Sequence, residues 1–147
     1  MINSFKTIAF FGCSLTSRYR EGLCQCFNIA AKKRGMNIVY FNFLGRIGEK
    51  NAEFGECELD IIDYVNLDEF DGIIYDGEGF NEISMAEKVI NKLRGAKCPV
   101  VSISGHVEGF HNIGNKFGFV TIVFCSGHGA NCFTVNNNLR TTITSWF

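Results

Sequence analysis

Four groups of polar side chains stand directly after short apolar runs, and chemistry in this chain would have to start from them. Cys13, Ser14, Thr16 and Ser17 follow Thr7-Ile8-Ala9-Phe10-Phe11-Gly12. Asn42 and Phe43 close Ile38-Val39-Tyr40-Phe41, Asp76 closes Ile73-Ile74-Tyr75, and Ser104 and His106 close Val100 to Ser104. Hydroxyls ahead of a helix can accept its free N–H groups as caps, or share those N–H groups with a phosphate. Both readings are open for Ser14, Thr16 and Ser17. Cys13 lies where a thiol nucleophile would need an arginine six positions on. Arg18 is one residue too near for that C-x5-R spacing, and Arg20 one too far.

Other reactive patterns fail on the same residues. No G-x-G-x-x-G follows the first run, and the Walker pattern is absent. The hydroxyl-rich stretch after Gly12 is similar to the phosphate loop of flavodoxins. A magnesium-binding phosphoacceptor domain needs an acidic pair where Cys13-Ser14 stands, so Asp76 is left without that partner set. Asp76 is expected to hydrogen-bond a ligand hydroxyl or a loop backbone. His106 either faces a ligand or is solvated. The histidines His106, His111 and His128 stand in no triad or metal-ligand pattern. The seven cysteines are odd in number and contain no C-x-x-C pair, so zinc-ribbon and thioredoxin chemistry are excluded. Free thiols in a reducing cytosol are the expectation.

Those loops need a frame to hold them. Apolar residues at Tyr19, Leu23, Cys26, Phe27 and Ala30 recur at helical spacing, with Lys32, Lys33 and Arg34 in the last turn and Gly35 as the C′ residue. Strand, helix and strand over 7–43 make a βαβ unit with a right-handed crossover. Residues 44–57 read as a loop. Residues 54–65 fit either a helix or a short extended piece. A third strand over 73–75 and a helix over 82–94, buried through Met85, Ala86, Val89, Ile90 and Leu93, come next. Pro99 opens a fourth strand, where a first-position proline is tolerated. The fold expected is α/β, a Rossmann-like parallel sheet flanked by helices. In such sheets ligands sit beyond the carboxyl ends of the strands, where all four polar groups fall. Tyr19, Phe43 and Phe80 lie near those ends and offer stacking faces.

Composition divides the chain. Its 147 residues carry a net charge of −1 and are 46% hydrophobic, with no basic excess to favour nucleic acid or a membrane surface. No apolar run approaches the roughly 18 residues of a membrane helix, and no signal-peptide pattern opens the chain. All 15 acidic residues lie at or before Glu108. From Gly109 to Phe147 only Lys116 and Arg140 are charged, where the chain average of 20% would put about eight. That region holds one strand-like run, Phe119 to Cys125, then Asn/Thr-rich sequence.

Residues 1–113 resemble the amino-terminal lobe of LacI-type ligand-sensing domains, relatives of the type 1 periplasmic binding proteins. Three pieces in order carry the resemblance: KTIAFFGCSLTSRYREGLCQCFNIAAKKRGMNIVYFN, FDGIIYDGEG and KCPVVSISGH. Their phrasing is especially similar to sensor domains fused to GGDEF diguanylate cyclases. The resemblance implies a two-lobed clamp closing on a sugar, nucleoside or similar small polar ligand, without catalysis or a cofactor. By position it assigns ligand contacts to Ser14, Thr16, Tyr19, Asp76, Ser104 and His106. It implies a sensing module of a transcriptional or cyclic-di-GMP regulator; a cytoplasmic location is expected from the missing signal peptide, and aggregation or pairing as a homodimer from the apolar face that missing strands would leave exposed. A flavodoxin-like FMN or nucleotide binder and a ligand-free interaction fragment are the alternatives. The chain departs from the family twice: it has no helix-turn-helix before the first strand, and 114–147 does not continue into a second lobe. The expectation is an incomplete lobe followed by a truncated tail read out of frame.

Overall fold

The computed structural model describes residues 6–13, 15, 18–43, 59–80, 83–112, 119–126, 129–136 and 141–145, the last three segments as backbone. Its frame is a parallel sheet of β1 (Lys6–Cys13), β2 (Met36–Phe43), β3 (Gly72–Asp76), β4 (Val100–Ser104) and β5 (His111–Asn112). The strands lie in the order β2-β1-β3-β4-β5. The α/β fold read from the sequence is therefore the fold observed. Parallel strands buried on both faces should be continuously apolar, and β3 is buried at every position.

Helix α1 (Arg18–Lys33) connects β1 to β2, with Leu23, Cys26, Phe27 and Ala30 buried on one stripe. Its last turn carries Lys32 and Lys33, and Gly35 follows at φ +62°, the C′ conformation expected of it. Of the ambiguous stretch 54–65, residues 59–64 form helix α2, with Leu59 and Ile62 buried, and 54–58 lie outside the described residues, as does the expected loop over 44–57. Helix α3 (Ile83–Leu93) buries Met85, Val89 and Leu93, three of the five positions expected. One core lies between β1, β2 and Ile74, Val101 and Ile103 on one face and α1. A larger one joins Phe11, Ile73 and Tyr75 to α2 and α3.

Three details differ from the sequence reading. β1 runs through Gly12 to Cys13, because the ladder continues as Gly12↔Asn42 and Cys13↔Phe43. Cys13 is thus a buried strand residue, not part of a loop. β5 was not expected; two residues carry no periodicity to detect. After β5, the described residues of the charge-poor segment hold three further strands where one was expected: β6 (Phe119–Ser126), β7 (Gly129–Asn136) and β8 (Thr141–Ser145), an antiparallel sheet in the order β6-β7-β8. Polar Asn and Thr hid the second and third strands, although β-branched Thr is at home in a pleated ladder. Among the described residues, no helix is long and apolar enough to cross a membrane.

Candidate site at the carboxyl ends of the strands

β1 lies between β2 and β3, so the chain leaves it in one direction and returns on its other side. That reversal opens a crevice beyond the carboxyl ends of β1 and β3. At its floor, Arg20 of α1 reaches Asp76 at the end of β3, with Nε to Oδ2 at 3.2 Å. The Asp76 side chain is 2% exposed and the Arg20 side chain 12%. The other Asp76 oxygen, Oδ1, accepts the N–H of Glu78 at 3.1 Å. A buried carboxylate needs this company, because desolvation disfavours its charged form unless a cation and hydrogen-bond donors replace water.

Gly79 closes over the pair. Its φ is +137°, and a Cβ placed there would come within 2.8 Å of an Arg20 guanidinium nitrogen and 3.1 Å of the Cys13 Cβ. Only a residue without a side chain lets the turn after β3 approach so closely. On the β2 side, the N–H of Leu15 donates to Asn42 Oδ1 at 3.0 Å and ties the turn after β1 to the end of β2. On the β4 side, Asp76 pairs in register with Ser104 across an irregularity in the ladder. Ser102 Oγ donates to the Gly105 carbonyl at 3.0 Å. The Asn112 side chain accepts from the Val107 N–H at 2.6 Å and donates to the Val107 and Phe110 carbonyls at 2.8 and 2.9 Å. The loop holding His106 is braced in this way, and His106 itself is exposed.

Of the six expected ligand contacts, Asp76 is buried at the centre of the crevice and Ser104 adjoins it in the ladder. His106 stands outward on the adjoining loop. Ser14 and Thr16 lie outside the described residues, and Tyr19 is described as a residue of α1 without its side chain. Phe43 and Phe80 do meet, with ring centroids 5.8 Å apart, and Phe80 also stacks on Tyr75 at 5.7 Å. These rings pack on one another within the core, and Phe43 is buried. The Tyr75 phenol is held well above the ordinary range, by burial first and then by its proximity to Cys13 and Asp76. It therefore stays neutral.

Sequence reasoning placed Asn42 at a strand end without its partner Leu15, and passed over Arg20 as a site residue. Arg20 was weighed only for its spacing from Cys13. The missed signal is electrostatic: a basic residue in the first turn of a helix opposes the helix dipole, so it calls for an anion elsewhere. Among the described residues, no group of three His, Cys, Asp or Glu side chains is placed to hold a metal ion. Two depressions, of about 380 and 490 Å³, lie at the other end of the sheet, where Cys98 and Pro99 line both. No protein-family model matches the chain, and no curated protein matches it.

Proposed function

We propose that the parallel domain is the amino-terminal lobe of a LacI-like small-molecule sensor, which holds a small polar ligand and does no chemistry on it. The observation that carries this reading is the Arg20–Asp76 pair, set at the strand-order reversal where α/β sheets take their ligands. A fixed carboxylate beside a fixed guanidinium offers both an acceptor and donors, which suits the hydroxyls of a sugar or nucleoside. Ligand bound between this lobe and a second one shifts the population towards a closed clamp and is read by an attached output domain. One lobe alone supplies part of the contacts and binds weakly. A cytoplasmic setting accords with Cys13, Cys24, Cys26 and Cys98 standing outside any disulfide.

The test is thermal melting of the chain against a panel of monosaccharides and nucleosides. A compound at about 100 times its Kd stabilises by about 2.7 kcal/mol. A rise in Tm with one chemical class, abolished in Asp76→Asn, is the expected result. No rise with any compound, or a rise that Asp76→Asn leaves intact, overturns the reading. The order β2-β1-β3-β4-β5 is also that of flavodoxin-like sheets. FMN therefore belongs in the panel, and quenching of its fluorescence by the protein would favour the cofactor-binding alternative.

A further inference from the structure

The two side chains that make the site lie out of a ligand's reach. Asp76 is 2% exposed and Arg20 12%, and the turn Gly77-Glu78-Gly79 lies against both. This turn has firm ends and a weak middle. On one side it leaves the β3 ladder at Asp76. On the other, the Phe80 ring stacks on Tyr75 at 5.7 Å and lies 5.8 Å from Phe43. Between those anchors stand two glycines, which have no side chain to pack, and Glu78, which is exposed. The bond from the Glu78 N–H to Asp76 Oδ1, at 3.1 Å, ties the turn down. Cys13 lies under the same turn: it is fully buried, and its Cβ is 3.1 Å from where a Gly79 Cβ would stand.

We propose that Gly77-Glu78-Gly79 is a flap that gates the site. Closed, as in the structure, it hides Asp76, Arg20 and Cys13. Lifted, it withdraws the Glu78 N–H from Asp76 Oδ1, and a ligand hydroxyl donates to that oxygen instead. The glycines on either side of Glu78 are the hinges, since each changes φ and ψ without a Cβ in the way. Few contacts hold the turn, so it opens locally at a smaller cost than unfolding of the sheet. Gating rests on the ligand-binding reading of the site. The lifting of the turn does not, and it is measured first, without ligand.

Cys13 and Cys26 report two kinds of opening. Both are buried, but Cys26 sits on the inner stripe of α1 and is uncovered only when the helix leaves the sheet. The whole chain is alkylated with iodoacetamide, and each site is followed by tandem mass spectrometry and scaled to its rate in the unfolded chain. The expected result is Cys13 at least about tenfold faster than Cys26, with the Cys13 rate indifferent to low urea and the Cys26 rate climbing with it. The Glu78 amide should exchange with deuterium ahead of the β3 amides, with the same opening equilibrium as Cys13. Equal scaled rates at the two cysteines, or a Glu78 amide that exchanges as slowly as those of β3, would overturn the flap. Ligand then tests the gate. A monosaccharide or nucleoside that raises Tm should speed Glu78 exchange, because its hydroxyl has taken the Asp76 oxygen. A compound that raises Tm through Asp76 without speeding Glu78 exchange overturns the gate. If no compound raises Tm, the gate falls with the ligand-binding reading, while the lifting of the turn is still decided at Cys13 and Glu78.

Discussion

At the carboxyl ends of the strands a cation and a carboxylate are shut in together, while at the amino ends the charges stand in water. Arg20 and Asp76 meet at 3.2 Å with side chains 12% and 2% exposed. Lys97 and Asp68 meet at a shorter 2.7 Å, but are 81% and 52% exposed. Lys88 likewise bridges the exposed Asp60 and Asp63, joining α3 to α2. The shorter bond is the weaker contributor. Water screens the exposed pair and would solvate either partner alone, whereas an unpaired Asp76 would keep its burial and lose its cation. Proximity therefore ranks these interactions wrongly, and exposure ranks them correctly.

The largest effect expected from breaking this contrast is at the buried pair. Arg20→Ala or Asp76→Ala should each cost about 3 kcal/mol of unfolding free energy. Replacing both by apolar residues, Arg20→Met with Asp76→Leu, should cost less than either single change, because no charge is then stranded. Lys97→Ala should stay within about 1 kcal/mol of the parent. Urea denaturation of the four variants measures all of these. Equal losses at Arg20 and Lys97 would erase the distinction between the two ends.

Gly79→Ala probes the same end through the backbone. The new methyl would meet the Arg20 guanidinium at 2.8 Å, and the residue would have to keep a φ of +137°. Strain of this kind costs about 1–3 kcal/mol. In the Arg20→Ala background the closest clash is removed, while the 3.1 Å approach to the Cys13 Cβ and the backbone part remain. A double-mutant cycle should therefore show coupling between positions 20 and 79. Additive losses would mean that the turn after β3 is fixed by its own conformation and not by the guanidinium beneath it.

Much of this frame was legible in the sequence because the parallel strands are apolar on both faces and the helices carry clear periodicity. Ile73-Ile74-Tyr75 and Val100 to Ser104 could hardly be anything but buried strands. The end of β1 was not legible, since Gly12 reads as a break, although here it pairs with Asn42 within the ladder. Asp76 could be placed from its position after a strand. Its partner could not, because Arg20 lies 56 residues away and only the sheet order brings α1 over the end of β3. β8 escaped because its residues are polar apart from Ile143, and β7 because Asn131, Thr134 and Asn136 break its apolar residues into pieces too short to read as a strand.

The smallest effect concerns Cys98, where the two amino-end depressions meet. Burial pushes its thiol above the ordinary range, a backbone hydrogen bond opposes that, and the negative fields of Asp71 and Asp68 add to the rise. Alkylation requires the thiolate. Its rate at Cys98, followed by peptide mass spectrometry, should therefore climb at a higher pH than for a free cysteine. The linked stability has a fixed sign. The folded chain keeps this proton after the unfolded chain has begun to lose it, so the contribution is complete below the ordinary thiol pKa and disappears as pH rises through the raised one. Asp68→Asn should bring the alkylation profile down slightly. The shift should be small, because burial is the leading cause and the Asp68 carboxylate is half exposed. A shift as large as the whole elevation would mean that charge governs the amino end as well, and the contrast between a buried pair and a solvated surface would no longer separate the two ends of the sheet.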